Sequence, residues 1–329
     1  MGKELLIGVN GFGTIHASSE QIDLETRFRR AKESGFDYID RMPLPGEVEL
    51  YIHLSQKYEL PIVASGWYYT LGRDEALLDW HFRIAKEIGS KVINIQFATY
   101  DAYGKFVSNE QIVDAYLSCY EKSSRFGVDI AFEIHANMWS EHFGRVSQVG
   151  EMVEASGVPF NITLDHSHVI FKIDNPREQE VQDMRKDIEA GLVKLSPDEP
   201  GNVTSEWIAR NYVRHSHARS AVPANPINVW AHHPDGSPGR GIQYPFIKPG
   251  EGEWHSEWDE SRLEPWKSVV RNLLRHHASD DSSRLGQMSM EFVPATDYGA
   301  GSTYSILDNN VACANWVREE WKKAQAEAA

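Results

Sequence analysis

Four acid or imidazole side chains stand near the ends of short apolar runs in the chain's second half. Glu133 follows Ile130-Ala131-Phe132, Asp165 closes Ile162-Thr163-Leu164, His217 ends Arg214-His215-Ser216, and Glu291 follows Met288-Ser289-Met290. Side chains alternate across a strand, so Ile130, Phe132 and Ile134 face one way while Ala131, Glu133 and His135 face the other. The same division puts Thr163 with Asp165, His215 with His217, and Gln287 with Ser289 and Glu291. The apolar row suits packing against helices, which leaves the polar row facing inward. Uncompensated carboxylates there would cost several kcal/mol each, so three acids and an imidazole converging at one end require a cation. Carboxylate oxygens plus one nitrogen suit a single divalent ion, with Mn²⁺ the first choice and Zn²⁺, Co²⁺ and Mg²⁺ as alternatives. His135, on the same row as Glu133, is placed to act as an acid or base toward a group titrating near neutrality, such as a phenol.

The elements that would position these residues alternate regularly. Strand-like runs occur at 5–9, 38–39, 62–65, 92–97, 130–135, 162–165, 212–217 and 287–292, separated by stretches of helical period. In 74–89, Leu77, Ile84 and Ile88 share a face before Gly89; near the end Leu307, Val311, Ala314, Val317 and Trp321 recur every three or four residues. Such βα order predicts an α/β fold with a parallel sheet, and eight repeats favour a closed (β/α)8 barrel, one domain over 1–329. Gly8-x-x-Gly11-x-Gly13 has the wrong spacing for a dinucleotide loop and reads as a permissive turn. Residues 220–265 break the rhythm, being rich in proline and glycine and carrying Trp230, Trp254 and Trp258, with Trp266 just after. This segment is expected to be an ordered lid or partner-docking insertion after the seventh strand, dispensable for folding of the barrel.

The formal charge of −15 argues against a nucleic-acid or anionic-membrane partner. No run approaches a membrane span, and the start of the chain lacks a signal-peptide pattern, so a cytoplasmic location is expected. Cys119 and Cys313 fall in helical patterns and offer neither a disulfide framework nor a thiolate metal site. His276 and His277 are expected at the end of a solvated helix. Trp67, Tyr68, Tyr69 and Trp139 near strand ends suggest a flat, apolar ligand; Gln96 and Asn137 are candidates for sugar hydroxyls. No cluster of basic residues that would clamp a phosphate stands out.

Glu133 in FEIHAN, Asp165 and His168 in LDHSHV, His217 in RHSHARS and Glu291 in SMEFVP together resemble the metal site of the xylose-isomerase-like barrels. The resemblance covers essentially the whole chain. It implies one Mn²⁺-type ion on Glu133, Asp165, His217 and Glu291, with His168 touching substrate or moving a proton. It also implies that Glu133 and Glu291 remove and return a proton beside a sugar carbonyl. The strongly acidic composition speaks against the endonuclease branch. Glu133-Ile134-His135 and the segments HPDGSPGRGIQYPF and GEWHSEW further resemble the catalytic subunits of bacterial C-glycoside deglycosidases. That narrower resemblance implies a lyase acting on 3-oxo-C-glycosides of aromatic aglycones, with His135 handling phenol protons, Trp67 and Trp139 binding substrate, and a small β-sandwich subunit as partner in an oligomer. The alternative is a metal-dependent keto-sugar isomerase or epimerase.

Overall fold

A computed structural model describes residues 3–299 and 301–329. Its strands are β1 (Leu6–Asn10), β2 (Tyr38–Asp40), β3 (Ala64–Tyr69), β4 (Val92–Phe97), β5 (Asp129–Glu133), β6 (Ile162–Asp165), β7 (Val213–Ala218), a β8 (Asn228–His232) and β9 (Pro238–Gly239) hairpin, and β10 (Gln287–Met290). Eight of them close a parallel barrel in the order β1-β10-β7-β6-β5-β4-β3-β2. Helices α1 (Leu24–Glu33), α2 (Val48–Lys57), α3 (Glu75–Glu87), α4 (Asn109–Ser124) and α5 (Phe143–Ala155) follow the first five strands. The sixth crossover is broken into α6 (Ser167–Ile170), α7 (Pro176–Gln179), α8 (Met184–Glu189) and α9 (Val203–Ala209). α10 (Glu264–Ser279) and α11 (Ile306–Ala328) flank β10. The expected (β/α)8 barrel is therefore the fold.

Local chemistry sets the helix boundaries. Ser108 and Gln111 form a reciprocal capping box at the start of α4, and the Asp23 carboxylate accepts the Thr26 N–H at 2.7 Å ahead of α1. In α10, Trp266, Val269, Val270, Leu273 and Leu274 form one buried stripe. Outward strand residues such as Ile93, Ile95, Phe132, Leu164, Met288 and Met290 pack beneath the helices. Inside the barrel a small apolar plug of Tyr38, Val63, Ala64, Val92 and Ala131 fills one end, which leaves the polar rows to the other.

The glycine cluster serves packing rather than turn freedom. A Cβ on Gly8 would lie 2.4 Å from the Tyr38 ring, and one on Gly13 would lie 2.6 Å from the Phe292 carbonyl oxygen. β3 runs from Ala64 to Tyr69, several residues beyond the expected 62–65, because its pairing with β4 begins at Ala64–Val92 and extends to Tyr69–Phe97. Trp67, Tyr68 and Tyr69 are thus strand residues themselves. No helix among the described residues is long and apolar enough to cross a membrane. Cys119 and Cys313 are free, buried thiols.

Two further expectations need correction. Segment 220–265 is not a detachable lid: Ile242, Tyr244 and Phe246 are buried in the main core. The Tyr244 N–H donates to the Ser220 carbonyl at 2.8 Å, the Val293 N–H to Gln243 Oε1 at 3.0 Å, and the Phe246 N–H to Asn309 Oδ1 at 2.7 Å. Removing 236–258 strips aromatic core residues costing about 3–5 kcal/mol each, so this deletion is expected to abolish the cooperative thermal transition seen by circular dichroism. The hairpin alone is peripheral, exposing Ile227, Val229 and Trp230.

His277 is not solvated either. It is 3% exposed, stacks on Trp321 at 5.2 Å, and burial lowers its pKa to about 4. His81, hydrogen-bonded through Nδ1 to the Tyr69 hydroxyl at 2.7 Å, is likewise lowered to about 4 by burial. An unfolded histidine titrates near ~6.5, so between there and about pH 4 the unfolded chain binds more protons. Stability is complete above that window and falls as pH drops through it. Tm is expected to decrease by on the order of 5 °C from pH 7 to pH 4.5, and His277→Phe, which keeps the stacking, should flatten part of that slope.

Candidate metal centre

The barrel brings Glu133, Asp165, His217 and Glu291 together, with one ligand atom from each lying within 4.8 Å of all the others. Parallel pairing explains much of this: Asp165 sits opposite His217, and His217 opposite Ser289, two residues before Glu291. Glu133, Asp165 and His217 are buried, and Glu291 is nearly so. His217 Nδ1 lies 3.0 Å from Glu133 Oε1 and 3.1 Å from Glu291 Oε2. The amides of Asn94 and Gln96 hold Glu133 Oε2, and Asn10 Nδ2 donates to Glu291 Oε1 at 3.2 Å, so the remaining carboxylate oxygens face the cluster.

Arg219, only 1% exposed, pairs with Asp165 and reaches Glu291 Oε2 at 3.0 Å. Burial alone would raise the Glu133 carboxyl, but the His217 ring brings it below its usual range. Burial likewise works to raise Asp165, and Arg219 and His168 outweigh it. At Glu291 burial prevails over His217 and Arg219, and the pKa is raised. Burial pushes His217 down, but Glu291 and Glu133 lift it well above the ordinary histidine value.

These residues fit a divalent cation. Three carboxylates face one guanidinium, and an ion of charge +2 beside a neutral His217 brings that set to zero, with an oxygen-rich donor set carrying one nitrogen. A second network lies directly beneath. Ser289 Oγ donates to Asp40 Oδ2 at 2.6 Å, so the Tyr38 hydroxyl, 2.7 Å from Ser289 Oγ, must donate to Ser289. His215 Nε2 lies 3.2 Å from Asp40 Oδ2, and His217 Nε2, which forms no aligned hydrogen bond, approaches the same oxygen at 3.4 Å. Asp40 thus backs the ring whose Nδ1 faces the carboxylates, the arrangement that orients a metal-binding histidine.

The other expected residues divide. His168 is buried; its Nδ1 accepts the Ala136 N–H at 3.3 Å and its Nε2 lies 3.1 Å from Asp165, with burial lowering its pKa to about 3. His135 lies just past the end of β5, its ring centroid 4.1 Å from that of His168. Its Nδ1 donates to the Ala136 carbonyl, so its Nε2 accepts the Tyr298 hydroxyl at 2.6 Å. A cavity of about 450 Å³ opens over the cluster, lined by Asn10, Phe12, Asp40, Arg41, Trp67, Tyr68, Gln96, His217 and Glu291 among others.

Gln96 and Trp67 therefore reach the cavity, whereas Trp139 and Asn137 do not. Trp139 is fully buried with its ring 6.3 Å from Phe132, because the turn after β5 folds it inward as core. Asn137 is turned outward at φ +67° and binds Arg240 through its Oδ1 at 3.0 Å, lining a separate cavity with Thr99 and Gln182.

Sequence reasoning missed Asp40, Asn94, Arg219 and Tyr298. Arg219 had a signal, since it continues the inward row of His215 and His217. Asp40 also had one, as the acid closing Tyr38-Ile39. Tyr298 had none, because it arrives from a loop.

No curated protein matches the chain in sequence. Among solved structures it is similar to a D-allulose 3-epimerase from Methylomonas sp., at 13% identity over 98% of both chains and TM-score 0.56. It is also similar to the IOLI protein with a bound zinc atom, at 14% identity, 98% of both chains and TM-score 0.52. A third is a xylose isomerase-like TIM barrel protein from Mycobacterium smegmatis in complex with magnesium, at 13% identity, 98% of both chains and TM-score 0.56. At such identities these likenesses speak to the fold. The family model for the xylose isomerase-like TIM barrel matches residues 28–248. With well over half of the chain covered by that model and the barrel closed by eight parallel strands, the protein belongs to the xylose isomerase-like TIM barrel family.

Proposed function

We propose that this protein is a divalent-metal-dependent enzyme that removes and returns a proton beside the carbonyl of a keto-sugar, as an isomerase or epimerase does. One observation carries the reading: Glu133 and Glu291 flank His217 Nδ1, at 3.0 and 3.1 Å, and His217 and Glu291 line an open cavity. Glu133, Asp165, His217 and Glu291 would hold the ion, Mn²⁺ being the first candidate. When bound, the ion polarises a sugar carbonyl and acidifies the neighbouring C–H bond.

The chain's own residues do the rest. A carboxylate of the Glu133–Glu291 pair accepts the carbon-bound proton, and its partner on the other side can return one. Arg219, bridging Asp165 and Glu291, opposes the burial that disfavours their charged forms, while Gln96 on the cavity wall presents a polar side chain for sugar oxygens. The likeness to a D-allulose 3-epimerase supports this reading.

A second reading, lyase action on 3-oxo-C-glycosides of aromatic aglycones, is favoured by the half-buried His135–Tyr298 pair. Neither member belongs to the four-residue cluster, and a bare Nε2 facing a phenol-type hydroxyl suits proton exchange with an aromatic leaving group. In that case a small companion subunit would have the hairpin's exposed Val229 and Trp230 to rest on.

The test is incubation of the Mn²⁺-loaded protein in D₂O with free ketoses and with 3-oxo-C-glycosides, with and without a companion subunit. Deuterium entering a ketose beside its carbonyl supports the first reading, and aglycone release supports the second. Neither event in a metal-replete protein refutes both.

A further inference from the structure

Arg41, at the end of β2, makes an unusual use of its side chain. Among the described residues it is the one arginine whose guanidinium forms neither a hydrogen bond nor an ion pair; Arg27 beside it, by contrast, donates to the Gly11 carbonyl at 2.8 Å. Its Nε and Nη1 are shielded from solvent and form no aligned hydrogen bond, the buried Tyr51 hydroxyl lying beside the group, so Nη2 is the N–H group left open. Yet the group is firmly placed. Its guanidinium carbon sits 3.6 Å above the Phe12 ring, and its stem passes so close to Gly11 that a Cβ there would lie 2.9 Å from Arg41 Cδ. Gly11 and Phe12 therefore hold Arg41 by its carbon stem and its flat face, leaving Nη2 unspent.

Arg41 lines the same cavity as His217 and Glu291. In a chain of net charge −15, the buried Arg219 and the partly buried Arg240 are matched to carboxylates, and Arg41 is not. The nearest acid in sequence, Asp40, is already engaged by Ser289 and His215. A held guanidinium with Nη2 unspent and a cluster fit for a metal, lining one cavity, describe a site for a molecule with two different polar groups.

We infer that Arg41 binds an oxyanion, phosphate or carboxylate, carried by the keto-sugar at the end remote from its carbonyl. This inference rests on the keto-sugar reading above and narrows it to an anionic substrate. It also extends the packing role of the Gly8-x-x-Gly11-x-Gly13 run: Gly11 makes room for the arginine, and Phe12 carries it.

The experiment is calorimetric titration of the metal-loaded full chain with D-xylulose, D-xylulose 5-phosphate and 5-keto-D-gluconate, repeated on Arg41→Met and Arg41→Lys. At least one anionic ketose should bind more than about 10-fold tighter than D-xylulose, as a charge-assisted hydrogen bond provides. Which one does so identifies the anion. That ratio should fall to near one in Arg41→Met and survive only in part in Arg41→Lys, which keeps the charge and loses the flat group stacked on Phe12. Direct contact of either anion with the metal is common to all three proteins and so drops out of the comparison. A ratio near one for both anions in the wild-type chain, or one that persists in Arg41→Met, overturns the inference. If a metal-replete chain binds no ketose, the keto-sugar reading is what has failed. Inorganic phosphate titrated into the metal-free chain then decides Arg41: binding weakened about 10-fold by Arg41→Met sustains its role, and equal or absent binding refutes it.

Discussion

Glu133→Gln is expected to purify with less than stoichiometric divalent metal and to lose turnover. Groups that merely orient a metal ligand change affinity by about 10–100-fold, so loss of a direct ligand should exceed about 100-fold. The geometry makes Glu133 the most sensitive of the four. It is fully buried, its Oε2 is taken by Asn94 and Gln96, and its Oε1 is the atom nearest His217 Nδ1. A glutamine fits the same volume, so the fold should persist, but its amide removes one buried charge and puts a donor group where only acceptors serve. Metal content by elemental analysis, read beside a thermal melt, separates loss of the ion from loss of the fold. Wild-type metal content in a folded Glu133→Gln protein would sink the four-residue assignment.

His135→Ala makes the opposite separation. Its ring is bound by the Ala136 carbonyl, the Tyr298 hydroxyl and contact with His168, not by the carboxylates that face His217. Metal content should therefore stay near that of the wild type, while turnover falls by about 10²–10⁴, the range of a lost acid–base group. Tyr298→Phe should reproduce part of this loss, since it removes the proton shared with His135 Nε2 and keeps the ring beneath Arg219, whose guanidinium carbon lies 3.9 Å from it. Full turnover in His135→Ala would leave the proton transfers to Glu133 and Glu291 alone and would remove the main support for a lyase. Loss of metal in the same variant would instead make His135 part of the ligand shell.

What could be read before folding was whatever repeats locally. The alternation of strand and helix periods determined the barrel. The two-residue period placed Ala131 with Glu133, Thr163 with Asp165 and Ser289 with Glu291 on inward rows, because strand geometry fixes which face a side chain takes. Residues in irregular backbone behaved differently. Trp139 and Asn137 stand six and four residues past the end of β5, yet the turn buries one and exposes the other, and no periodicity encodes that choice. Tyr298 meets His135 across 163 residues through a loop, and Asp40 meets His215 and Ser289 only because the barrel closes.

The sequence alone thus determined the barrel, its polar interior and the four residues suited to a cation, since each follows from short-range alternation. Only the tertiary structure decided which side chains back or complete that cluster, that the aromatic segment belongs to the core, and that Arg41 has no ion-pair partner among the described residues. Those outcomes depend on which distant surfaces come within a few ångströms of one another, and closure of the sheet sets that.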